Sequence, residues 1–114
     1  MAEVTIYHNP RCSKSRETLK LLQDQGIEPE IVEYLKTPPS TDELSAILAK
    51  LGKKAHDIVR KKEAAEAGID IEALDDQALV QALCANPAAI ERPIVIKGAK
   101  AALGRPPESV LAIL

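Results

Sequence analysis

The stretch Val4-Thr5-Ile6-Tyr7-His8-Asn9-Pro10-Arg11-Cys12-Ser13-Lys14-Ser15-Arg16 decides the fold. Val4 to Tyr7 alternate as a half-buried strand does, and a helical pattern follows from about Ser13 to Gln25. That helix should bury Leu19 and Leu22 and end at Gly26, a residue suited to a left-handed cap. A second strand, about Glu30 to Tyr34, completes a strand–helix–strand unit whose right-handed crossover makes the two strands parallel. Cys12 stands where the first strand hands over to the helix.

Working outward, Thr37-Pro38-Pro39 breaks the chain. Ser40-Thr41-Asp42-Glu43 fits a capping box, and Leu44, Ile47, Leu48 and Leu51 follow at helical spacing as far as Gly52. A further helix is expected from Ala55 to about Ala67, and another, capped by Asp75 or Asp76, runs to Ala85. Asn86-Pro87 fits the cap and first position of a short helical turn. Strand chemistry returns at Ile94-Val95-Ile96, turns at Lys97-Gly98, and continues at Ala101-Ala102-Leu103 as a hairpin. Gly104-Arg105-Pro106-Pro107 then leads to a C-terminal helix with Val110, Leu111 and Leu114. The order is βαβ, a helical block, then ββα.

At 114 residues and 46% hydrophobic content, the chain is read as one domain with a real core, aliphatic because Phe and Trp are absent. A net charge of −2 argues against nucleic-acid binding through a basic surface. No apolar run approaches the roughly 20 residues of a membrane span, and no charged-then-apolar leader precedes the first strand. A cytoplasmic monomer is the expectation, and two free cysteines agree with a reducing compartment.

The surroundings of Cys12 suit a thiolate. A free thiol with a pKa near 8.5 is only about 3% ionised at pH 7, and a helix N-terminus flanked by cations lowers that pKa. Arg11, Lys14, Arg16 and a protonated His8 supply candidate cations, and the unpaired N–H groups of the first helical turn supply the dipole. Ser15, one turn on, has a hydroxyl suited to donating to the thiolate. A lone cysteine is more often a small buried hydrophobe, but basic side chains and a proline around one thiol favour an anion site. The Cys-x5-Arg spacing of low-molecular-weight phosphatases is absent, since Thr18 occupies the sixth position after Cys12.

The phrase His-Asn-Pro-Arg-Cys-Ser-Lys-Ser-Arg at residues 8–16 resembles the glutathione- and glutaredoxin-linked arsenate reductases, the ArsC family, and the resemblance covers the whole chain. It implies an α/β fold, a thioredoxin-like mixed four-stranded sheet with a helical insertion at about 40–90, in a single domain of residues 1–114. It also implies reduction of As(V) to As(III) through an adduct on Cys12, with no bound cofactor or metal and with glutathione as cosubstrate. Three arginines would hold the oxyanion: Arg60, Arg92 and Arg105. Arg92 and Arg105 each precede a proline and flank the expected hairpin; Arg60 rests on the resemblance alone. The resemblance further implies a cis bond at Arg92–Pro93, with Pro93 shaping the site, where sequence alone favours trans.

Electron counting bears on the partner. Reduction of arsenate takes two electrons, and one disulfide releases two, so two thiols are needed. Thioredoxin-like redox proteins place a second cysteine where this chain has Ser15. Cys84 has apolar neighbours and reads as an inert core-facing thiol. The second thiol should come from outside, matching the family's use of glutathione and glutaredoxin. Two other functions fit the sequence: an Spx-like transcriptional regulator binding RNA polymerase, and a monothiol oxidoreductase acting on glutathione mixed disulfides. Arginine forks also accept other tetrahedral oxyanions, so arsenate or a related oxyanion is the expected substrate.

Overall fold

The computed structural model describes residues 3–114. The chain divides into two compact units, one of residues 3–37 and 92–114, the other Pro38–Glu91.

The first unit is built on four strands: β1 (Val4–Tyr7), β2 (Glu30–Val32), β3 (Ile94–Lys97) and β4 (Lys100–Leu103), in the order β2-β1-β3-β4. β1 pairs parallel with β2 and antiparallel with β3, and β3 pairs antiparallel with β4. This is the mixed thioredoxin-like sheet that the βαβ and ββ patterns imply. Alternation along β1 sends Val4 and Ile6 inward, where they form a core with Leu22, Val95 and Val110. Helix α1 (Ser13–Asp24) lays Leu22 on that core, while Leu19 is only partly buried against it. The hairpin closes through Gly98-Ala99, with Gly98 at φ +60, as a two-residue hairpin turn requires at its first position.

Two expectations for this unit need correction. β2 stops at Val32, because Lys36 and Thr37 both donate to the Glu33 carbonyl and turn the chain away. The C-terminal segment Pro107–Ile113 is a 3-10 helix. Its three-residue period puts Pro107, Val110 and Ile113 inward and leaves Leu111 exposed.

The second unit is helical. α2 (Thr41–Leu51) begins with the expected capping box, Ser40 and Glu43 each bonding the other's backbone N–H. Gly52 ends it in the left-handed conformation. The expected helix from Ala55 to Ala67 is broken into a 3-10 turn at Ala55–Asp57 and helix α3 (Lys61–Glu66). Between them Val59 forms an antiparallel bridge with Ile90, flanked by bonds from Arg60 N–H to Ala89 O and from Glu91 N–H to Ile58 O, both 2.7 Å. Helix α4 (Asp76–Ala85) is capped by the Asp75 carboxylate on Ala78 N–H, and a short 3-10 turn follows at Pro87–Ala89. Among the described residues no helix is long and apolar enough to cross a membrane.

Candidate active site

Cys12 is the N-cap of α1, with extended backbone at φ −91 and ψ 123. Its N–H donates to Asn9 O at 3.0 Å, and its carbonyl accepts the first helical bond, from Arg16 N–H at 3.0 Å. The thiol therefore occupies the place a serine or aspartate oxygen takes at an ordinary cap. No side-chain cap bond of ordinary length forms there, but the N–H groups of Ser15 and Lys14 are directed at the larger sulfur.

Burial is the largest single influence on this thiol and pushes its pKa up. The N–H groups of Ser15 and Lys14, then the hydrogen bond and charge of Arg92, together outweigh it, and the thiol lies below its ordinary value. Arg105 approaches as well: its Nη2 lies 3.8 Å from Cys12 Sγ, while its Nε donates to Arg92 O at 2.9 Å. Both arginines come from the ends of the β3–β4 hairpin, Arg92 just before β3 and Arg105 just after β4. The Arg92–Pro93 and Arg105–Pro106 bonds are both cis, the first as the resemblance implied. Pro93 is buried, and its carbonyl accepts from Gly104 N–H at 2.9 Å.

The cations next to Cys12 in sequence are placed differently from the expectation. Arg16 Nη1 donates to Pro10 O at 2.9 Å, Lys14 pairs with Glu17 at 3.6 Å, and Arg11 is exposed. Lys14 acts on the sulfur through its backbone, and the side-chain cation is Arg92. His8 is buried and its pKa is lowered, by burial first and by Arg16, against an opposing pull from Glu33. Burial thus works against the imidazolium form. Its Nδ1 bonds to Ser15 Oγ, which also accepts Asn9 N–H at 3.0 Å. The Ser15 hydroxyl thus braces the loop, and the support this residue gives the thiol is its backbone N–H.

Arg60 and Cys84 belong to the second unit. The Arg60 guanidinium is paired through Nε with Glu63 and through Nη1 with Glu91, the latter at 3.0 Å. Cys84 is half-buried on α4, less enclosed than its apolar neighbours suggest, and burial, then Glu43, holds its thiol above the ordinary value.

Two further residues shape the site without having been singled out from sequence. Asn9 takes Cys12 N–H on its carbonyl and Arg11 N–H on Oδ1 at 3.0 Å, closing the loop before the helix. The signal was present, since Asn-Pro favours turn initiation. Thr18 is fully buried and donates from Oγ1 to Lys14 O at 2.7 Å, bracing the turn whose N–H groups face the sulfur. Among the described residues no cluster of His, Cys, Asp or Glu is arranged to hold a metal ion.

A mixed sheet with a cysteine of lowered pKa at the N-terminus of its first helix defines a protein of thioredoxin-like fold. The ArsC family model matches residues 7–113, and the chain belongs to that family. It is 50% identical over 115 residues to the uncharacterized protein YfgD of Escherichia coli K12, covering 98% of this chain and 97% of that protein. It is 49% identical over 117 residues to the arsenate reductase of Neisseria meningitidis serogroup A, covering all of both. The solved structure of an arsenate reductase from Vibrio cholerae superposes with a TM-score of 0.92 at 47% identity, covering 97% of each chain.

Proposed function

We propose that this protein is a cytoplasmic, monomeric arsenate reductase that draws its electrons from glutathione and glutaredoxin and carries no bound metal or cofactor. The observation that carries the reading is the setting of Cys12: backbone N–H groups and Arg92 favour its thiolate, and Arg105 stands 3.8 Å from the sulfur. A thiolate among fixed donors and guanidinium forks is equipped to meet a tetrahedral oxyanion. The arsenate reductases of similar sequence and structure support the choice of substrate.

In this mechanism the Cys12 thiolate attacks arsenate, one oxygen leaves as water, and a sulfur–arsenic bond forms. Arg92 and Arg105 offset the charge on the remaining oxygens. Glutathione thiolate then attacks the Cys12 sulfur. The electron pair of the sulfur–arsenic bond stays on arsenic, which departs as As(III), and Cys12 is left in a mixed disulfide with glutathione. Glutaredoxin attacks that disulfide and returns the Cys12 thiolate. His8 and Ser15 hold the loop that presents Cys12, and Pro93 backs the Arg92 segment. Arg11, exposed and next to the cysteine in sequence, supports the thiolate by its charge in this proposal. Arg60, which the resemblance adds to Arg92 and Arg105 as an oxyanion arginine, is held in place by Glu63 and Glu91.

The test is an NADPH-coupled assay with arsenate, glutathione and glutaredoxin, comparing the native protein with Cys12→Ser. Loss of turnover in the variant is expected; equal rates end the proposal. Mass spectrometry after arsenate and glutathione treatment should find glutathione on Cys12. A Cys12–Cys84 disulfide in its place would refute the external thiol.

A further inference from the structure

Gly104 is buried against two residues that shape the Cys12 site, Thr18 and Pro93. A Cβ at this position would lie 2.5 Å from Thr18 Oγ1, 2.7 Å from Pro93 Cγ and 3.1 Å from Thr18 Cγ2. Ordinary contact begins at 3.4 Å, so an added methyl would have to push Pro93 away by about 0.7 Å. Thr18 has little freedom to yield. It is fully buried, and its Oγ1 is bonded to Lys14 O in the first turn of α1. Pro93 has little more, because its carbonyl accepts Gly104 N–H at 2.9 Å and the next residue begins β3. The residue on one side of Gly104 is Arg105, and the residue before Pro93 is Arg92.

We propose that Gly104 is a positioning residue: its missing side chain lets the end of β4 close on Thr18 and Pro93, and this closure sets where Arg105 and Arg92 meet the Cys12 sulfur. The inference rests on the oxyanion reading of that site and adds the element that sets its spacing. Arg105 is especially sensitive, because its Nε bond to Arg92 O and its Nη2 approach to Sγ leave one guanidinium fixed at two points. A displacement approaching 1 Å at position 104 breaks one of the two. The same displacement acts through Thr18 on the turn that supplies the Lys14 and Ser15 N–H groups.

The experiment follows alkylation of Cys12 by iodoacetamide against pH, in a Cys84→Ser background so that one thiol is read, with and without sulfate or arsenate as protecting oxyanion. Gly104→Ala should raise the pH midpoint by about 0.5 and raise the sulfate concentration for half-protection about tenfold. Measured against Thr18→Ala alone, which already lacks the bond to Lys14 O, Thr18→Ala combined with Gly104→Ala should show smaller changes than Gly104→Ala shows against the native protein, because the two Thr18 contacts are gone. Gly52→Ala, in the other unit and at a φ of +68, should lower the melting temperature while moving neither value. Unchanged midpoint and protection in folded Gly104→Ala overturn the inference, as does an equal effect from Gly52→Ala. Should Gly104→Ala fail to fold, the double variant is compared with Thr18→Ala alone: the remaining Pro93 contact predicts a smaller shift of the same sign, and no shift refutes the idea. Failure of the oxyanion reading is distinct, because the parent protein would then be protected by neither anion while the midpoint comparison still decides the role of Gly104.

Discussion

Arg105 Nε donates to the carbonyl oxygen of Arg92 across 2.9 Å, so the backbone of one arginine fixes the side chain of the other. The two residues have separable duties at the cysteine. Arg92 acts on the thiol by hydrogen bond and charge, and Arg105 donates to the sulfur from Nη2 at 3.8 Å. Arg92→Ala keeps the carbonyl that anchors Arg105 and should raise the pH midpoint of Cys12 alkylation. Arg105→Ala should leave that midpoint nearly in place and weaken oxyanion protection about tenfold or more, the loss of one charge-assisted bond. A larger midpoint shift from Arg105→Ala than from Arg92→Ala would reverse this division.

Ser15 supports the site by two routes that one substitution separates. Its buried hydroxyl bonds His8 Nδ1 and Asn9 N–H, while its own N–H faces the sulfur. Ser15→Ala removes the first and keeps the second. Stability in urea should fall by about 1–3 kcal/mol, the cost of leaving buried polar groups unpaired, with the Cys12 midpoint unmoved. A raised midpoint at unchanged stability would show that the hydroxyl serves the thiol directly.

His8 makes the fold acid-sensitive. Its pKa is lowered in the folded protein, chiefly by burial, so below about pH 6.5 an unfolded chain binds a proton that folded His8 resists. The contribution is complete above that value and is lost as pH falls through the lower, folded value. Urea unfolding between about pH 7.5 and about pH 5 should show native stability declining with acid more steeply than that of His8→Gln. Parallel curves would remove His8 as the cause.

The capping box of α2 is the cleanest local test of the second unit. Ser40→Ala loses the bond to Glu43 N–H and leaves the Ser40 N–H reliant on Glu43 alone. A loss of about 1 kcal/mol is expected in chemical denaturation, without change in Cys12 reactivity.

Features written in contiguous residues were legible from sequence. The start of α2 could be read because Ser40 and Glu43 make its cap by themselves, whereas the cap of α4 was narrowed only to Asp75 or Asp76, and the structure selects Asp75. The break near Val59 could not be read, because a bridge to Ile90 from elsewhere in the chain interrupts an otherwise helical pattern. The C-terminal segment could not be read as a 3-10 helix, since Val110 and Leu114 stand four apart as in an α-helix while the period of three pairs Val110 with Pro107 and Ile113. At the site, the placement of Cys12 on a helix N-terminus was visible. The source of its acidity was not: the basic residues beside it bond to Pro10 and Glu17 or face solvent, and the cation at the sulfur arrives through strand pairing. The bonds of the Ser15 hydroxyl to His8 and Asn9 N–H are visible only in the fold, because they join residues six and seven positions apart across the loop.

The β3–β4 hairpin acts as a caliper, with its hinge at Gly98-Ala99 and an arginine on each jaw. Register runs from Lys97 opposite Lys100 to Ile94 opposite Leu103, and the Gly104 N–H to Pro93 O bond extends it to the tips. One residue inserted at the hinge would slide one jaw by about 3.4 Å and invert which side chains face the core. The gauge of the anion grip is thus written at the end of the sheet farthest along the hairpin from the grip itself, and changes in turn length there should be as damaging to anion capture as loss of an arginine.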